Sequence, residues 1–199
     1  MIKYEAPDFD DPYPPSSVRV TGFTYENAII LLRLKSSVKM RSGKFLFMTR
    51  DREAKYVVGG SYTVHWTGSK GETGTITVPQ GMLTDLTSVP PIFRGLINRI
   101  GPWLEAAIVH DYLCIAWRTM DGNGSLERRW FADQIMWAAM TEAKVGFQKY
   151  LIYGAIRAAA RFIFPQRVDP TTQNDLYIDL SESEVQAQLP PDVRITSRA

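Results

Sequence analysis

The stretch AAIVHDYLC, Ala106–Cys114, sets His110 and Asp111 side by side in a run that is otherwise apolar or aromatic. FADQIMWAAM, Phe131–Met140, buries Asp133 in the same kind of setting. An ionised side chain taken out of water without a partner is costly, so each of these groups must meet a hydrogen bond, an opposite charge or a metal ion. An imidazole held on one nitrogen by a carboxylate has its tautomer fixed and its basicity raised, which leaves the other nitrogen able to take a proton from water. Asp133 is the natural partner for His110. Asp111, turned by about 100° from His110 around a helix, points in a neighbouring direction and could hold a cation that polarises a substrate oxygen. In this reading His110 and Asp133 are the catalytic pair, Asp111 and Asp85 are metal ligands, and a divalent ion such as calcium or zinc completes a hydrolase. The other reading is a buried His–Asp network that only locks two helices together. Arg129, one turn before Asp133, is a competing partner for that carboxylate.

The remaining polar candidates have plainer readings. Asp85 and Ser88, in TDLTSVP, can cap a turn through bonds from side chain to backbone, as such residues do ahead of a proline. His65, in YTVHWTG, alternates with Tyr62 and Val64 and reads as a residue of the sheet surface. Trp130, Met136, Trp137 and Met140 recur at helical spacing beside Asp133, which is the pattern of core packing.

These residues need elements to position them. From Val18 onward, short β-rich runs are punctuated by turn residues: VRVTGFTY, AIILLRLKSSVKM, KFLFMTR, KYVVGGSYTVHWTG and TGTITVPQGM. They predict one twisted antiparallel sheet over 18–89. The strands stop near Pro90, and 90–165 reads as helical. Pro102 suits the first turn of a helix running to about Trp117, whose apolar residues surround the axis, the mark of a buried helix. DGNG, Asp121–Gly124, is a turn, and Ser125 is a natural N-cap for a second helix from about Leu126 to Ala143. A third helix is expected from about Phe147 to Phe164, closed by Pro165. The fold class is α+β, an N-terminal antiparallel β-sheet followed by a three-helix part. The proline- and aspartate-rich segment 1–17 and the segment 166–199 read as extended arms.

Composition removes several classes. The chain has 199 residues, enough for one domain with a real core, and its single cysteine, Cys114, excludes internal disulfides and a cysteine-based zinc cluster. That thiol reads as core filler. A net charge of +2 with mixed signs leaves no basic stripe of the kind that neutralises a phosphate backbone, so nucleic acid is not an expected partner. The N-terminus lacks the order of a signal peptide, and no stretch of roughly 18 apolar residues runs uninterrupted. The expectation is a soluble protein made in the cytoplasm, with no transmembrane segment.

The order VPQGMLTDLTSVP, AAIVHDYLC, RRWFADQIMWAAM and YLIYGAIRAAARF resembles the phage and prophage family catalogued as domain of unknown function 1353, over about Val78–Arg161. Its T-D-x-x-S-x-P, H-D-x-L-Y and R-x-x-A-D patterns fall on Thr84, Asp85, Ser88 and Pro90, on His110, Asp111 and Leu113, and on Arg129, Ala132 and Asp133. One position departs, because the tyrosine expected after H-D-x-L is Cys114, a poorer hydrogen-bond donor. The H-D pair with a later helical aspartate is also similar, more distantly, to phospholipase A2. By that likeness His110 activates water, Asp111 binds calcium and Asp133 orients the histidine. The calcium loop and disulfides of those enzymes have no counterpart here.

The family resemblance implies a tailed-phage virion component of the tail, tail tip or baseplate. Its terminal arms would bind other phage structural proteins in an oligomeric assembly, and its site would carry a hydrolase-like cluster. The alternative it leaves open is a metal-dependent hydrolase acting on envelope lipid or cell wall during entry or lysis. A lysis or host-takeover factor outside the particle is a third.

Overall fold

The computed structural model describes residues 11–40, 52–84, 101–120 and 125–163, together with Tyr177 and Leu180. Among the described residues, six strands come first: β1 (Val20–Tyr25), β2 (Leu31–Met40), β3 (Arg52–Val58), β4 (Tyr62–Gly68), β5 (Thr73–Val78) and β6 (Leu83–Thr84). Three helices follow: α1 (Leu104–Met120), α2 (Leu126–Glu142) and α3 (Gln148–Ile163). The α+β class and its order, antiparallel strands and then three helices, are as the sequence predicts.

The strands form two antiparallel sheets rather than one. β1, β4 and β5 make the first, in the order β1-β4-β5, and β2, β3 and β6 make the second, in the order β2-β3-β6. The division falls at Gly59–Gly60, inside the single run KYVVGGSYTVHWTG, so that β3 feeds one sheet and β4 the other. Gly59 is required there by crowding, because a Cβ would lie 2.9 Å from Ile30 and 3.0 Å from Leu32. β6 is a further difference. Leu83 and Thr84, which follow the predicted run TGTITVPQGM, pair with Val57 and Tyr56 of β3. The expected strand KFLFMTR and the change of texture at Pro90 lie outside the described residues.

β4 shows the period of two that its sequence carries, with Tyr62, Val64 and Trp66 buried and His65 on the exposed side. His65 there meets Thr75 Oγ1 at 3.1 Å and Glu26 Oε2 at 3.2 Å, the sheet-surface position expected of it. Trp66 faces Gly74 across the β4–β5 pair, and a Cβ on Gly74 would come within 2.6 Å of the indole. The ring cannot swing away freely, since its other side packs edge-on against Phe131 of α2 at 5.2 Å. Gly74→Val should therefore cost about 1–3 kcal/mol through overpacking. A urea midpoint equal to that of the wild type would refute the fit.

From Ala106 to Leu113, α1 is buried on nearly all sides, with Ala106, Ala107, Ile108, Val109, Tyr112 and Leu113 in one core with β4, β5 and α2. Ser125 caps α2 as its residue type predicts, its Oγ accepting from the Glu127 N–H at 3.1 Å and the Arg128 N–H at 3.4 Å. Between α2 and α3 the chain reverses through Lys144, at φ 53°, the left-handed conformation that commonly ends a helix. Gln134 fastens α2 to the edge of the first sheet, accepting from the Val20 N–H at 3.0 Å and donating to the Val18 carbonyl at 2.9 Å.

Both flanking segments send an aromatic residue into this core. Tyr13 is buried, donates its hydroxyl to the Leu113 carbonyl and lies under the Arg128 guanidinium at 4.9 Å, while Arg128 also pairs with Asp11 at 2.7 Å. Tyr177 is equally buried and bridges Met82. Among the described residues no helix is long and apolar enough to cross a membrane.

Candidate functional site

Consecutive antiparallel helices joined by short turns lie against one another, so residues equidistant from a turn come face to face. The α1–α2 pair brings His110 to Asp133, with Nε2 and Oδ1 3.2 Å apart, and the DGNG stretch between the helices lies outside the described residues. Around Val145 the α2–α3 pair brings Asp133 to Arg157, with Nη1 donating to Oδ2 at 2.9 Å. One carboxylate thus spends each of its oxygens on a different helix. Asp133 is 1% exposed and His110 5%, whereas the Arg157 side chain is close to half exposed.

The electrostatics follow from that geometry. Burial alone would push the imidazole of His110 down, but the Cys114 sulfur and the hydrogen-bonded Asp133 carboxylate outweigh it and hold the ring well above the ordinary histidine value. Burial would likewise push the Asp133 carboxyl up. The hydrogen bond and charge of His110, and then Arg157, overcome this and hold it below the ordinary aspartate value. Both shifts favour the ionised forms, an imidazolium and a carboxylate, with the Arg157 guanidinium opposite.

Arg129 is buried one turn before Asp133. Its guanidinium pKa is lowered by burial and raised again, in smaller part, by the charge of Asp133. The arginine ion-paired with Asp133 is Arg157 of α3. In the sequence it stands as the one charge in the apolar run YLIYGAIRAAA, and in the structure its side chain is close to half exposed.

Asp111 points away from this pair toward β6, where Thr84 donates to its Oδ2 at 3.3 Å. The structure therefore places the first residue of TDLTSVP beside the H-D pair, while Asp85 and Ser88 lie outside the described residues. Among the described residues no group of three or more histidine, cysteine, aspartate or glutamate side chains is gathered to hold a metal ion. Among the described residues, Asp111 and Thr84 supply only part of the six to eight or so oxygens that calcium takes.

Cys114 is partly exposed, one turn after His110 on the same side of α1. Its sulfur is 3.7 Å from Nδ1 and 3.7 Å from Nε2. Equal distances put the sulfur on the plane that bisects the ring. At that separation it must sit over the face, since in the ring plane it would collide with Cε1. The thiol packs on the imidazole and is not in line with a nitrogen lone pair, so the trio Cys114, His110 and Asp133 lacks the alignment of a thiol nucleophile with its base.

Residues 63–156 match the family model described as protein of unknown function (DUF1353). The matched span runs from β4 into α3 and contains Thr84, His110, Asp111, Cys114, Arg129 and Asp133, with Arg157 one residue beyond its end. No curated protein and no solved structure matches the chain.

Proposed function

We propose that this chain, a member of the DUF1353 family through residues 63–156, is a structural component of a tailed-phage virion, in the tail or at its tip or baseplate. In this reading the His110–Asp133–Arg157 network is the brace of its helical part. The motif order shared with a phage and prophage family supports the virion assignment. The observation that carries the structural role is the network itself, in which one buried carboxylate holds cations from two other helices. A hydrolytic base has to be free of its proton near the working pH and within reach of water or substrate. His110 fits these needs poorly, being almost fully buried beside a carboxylate that favours its protonated form. As a charged donor between helices it fits well.

Such a component should be found in finished particles. Mass spectrometry of particles purified from a host in which this chain is made should detect it at a copy number comparable to other tail subunits. Complete absence from particles that assemble and infect would overturn the proposal.

A further inference from the structure

From Ala143 to Ile163 the chain contains Lys144, Lys149, Arg157 and Arg161 and no acidic residue, although aspartate and glutamate make up 21 of the 199 residues overall. The nearest acid in sequence, Glu142, ends α2 and is exposed two residues before Lys144. α3 turns Ile152, Ala155 and Ile156 inward, whereas Phe147 is 74% and Tyr150 56% exposed. These two rings continue an aromatic cluster along the α2–α3 seam. Phe147 lies 6.2 Å from Tyr150, and Trp137 lies 5.3 Å from Tyr150 and 5.0 Å from Tyr153. The Lys149 ammonium sits 5.0 Å from the Trp137 ring and 5.4 Å from that of Tyr150. The surroundings are open, since a Cβ on Gly146 or Gly154 would meet nothing within 4 Å.

Large aromatic rings left in water cost stability, and ones with a polar edge beside lysines fit the boundary between lipid headgroups and acyl chains. Lysines next to that boundary gain further from anionic headgroups, at roughly fivefold in affinity each. We propose that the corner between α2 and α3 docks on a bilayer surface containing anionic phospholipid. Phe147 and Tyr150 enter the headgroup region, and Lys144 and Lys149 meet lipid phosphates. Arg157 is already neutralised by Asp133 and takes no part. The proposal concerns this surface alone and stands whether or not the chain belongs to a virion.

The test is co-sedimentation of the full chain with vesicles of phosphatidylcholine alone and of phosphatidylcholine mixed equally with phosphatidylglycerol. The wild type should sediment with the mixed vesicles, weakly at high salt, and remain in solution with the neutral ones. Lys144→Asn, which keeps a residue tolerant of the left-handed backbone, and Lys149→Gln should each weaken partitioning roughly fivefold. Phe147→Ser with Tyr150→Ser should abolish it at an unchanged urea midpoint. Phe147→Ser alone, at the most exposed ring, keeps the test valid if the double variant is less stable. Failure of the wild type to sediment with mixed vesicles, or equal sedimentation of wild type and variants, would overturn the proposal. So would a wild type that ignores vesicles but changes oligomeric state on the double substitution, which would assign the surface to contact between protein copies.

Discussion

Asp133→Ala should lower the unfolding free energy by about 3–5 kcal/mol, the cost of breaking a buried ion pair from one side. The substitution removes the anion that permits a nearly inaccessible imidazolium and strips Arg157 of its partner. His110 would then shed its proton, and its remaining donor would have to be satisfied inside an apolar core. Arg157, close to half exposed, would recover water at little cost, so Arg157→Ala should be much the milder change. Asp133→Asn should fall between the two, because an amide keeps the volume and one acceptor oxygen but not the charge. Urea unfolding at constant slope separates these outcomes. A loss below about 1 kcal/mol for Asp133→Ala, in the range of an exposed pair, would mean that the network is not what holds the helices together.

The His110–Asp133 half of this network was legible in the sequence because two strong signals coincide. Charged residues stand in apolar helical runs, and the short DGNG stretch between those runs reads in the sequence as a turn that would lay them side by side. Arg157 carried the same signal in α3, equidistant with Asp133 from Val145, but a second arginine nearby at Arg161 and the interleaved aromatic residues made its face ambiguous. The helices were readable almost to their ends for the same reason, with the Ser125 cap and the reversal at Lys144 fixing α2 locally. The division of the strands into two sheets was not readable, since it depends on which strand pairs with which across the fold. Gly59–Gly60 looks like an ordinary hairpin turn until Ile30 and Leu32 are seen packed against it. β6 was hidden because Leu83–Thr84 has only two paired residues and takes its structure from β3. Cys114 reads as filler from its neighbours. Its place over the imidazole face is set by a helical turn that sequence spacing allows but does not orient in detail.

The stabilising contribution of His110 should depend on pH in a way that separates a brace from a base. Replacing it by glutamine should cost about 3 kcal/mol near the optimum, the lower end for a broken buried pair because Arg157 still holds the other oxygen of Asp133. The folded pKa of His110 is raised above its ordinary 6.5, so its contribution is complete below 6.5 and is lost as pH climbs through the raised value. Asp133 is shifted the other way, from an ordinary 3.8, so its share is complete above 3.8 and is lost as pH falls through the lowered value. The difference in urea midpoint between wild type and His110→Gln should therefore be greatest between pH 3.8 and 6.5 and shrink on the alkaline side. The ring resonances of His110, followed by NMR, should titrate at that same alkaline limb. If they titrate below 6.5 instead, with the midpoint difference unchanged into alkali, the imidazole is neutral at physiological pH. It would then be available as a proton acceptor, and the hydrolytic reading of the site would displace the structural one.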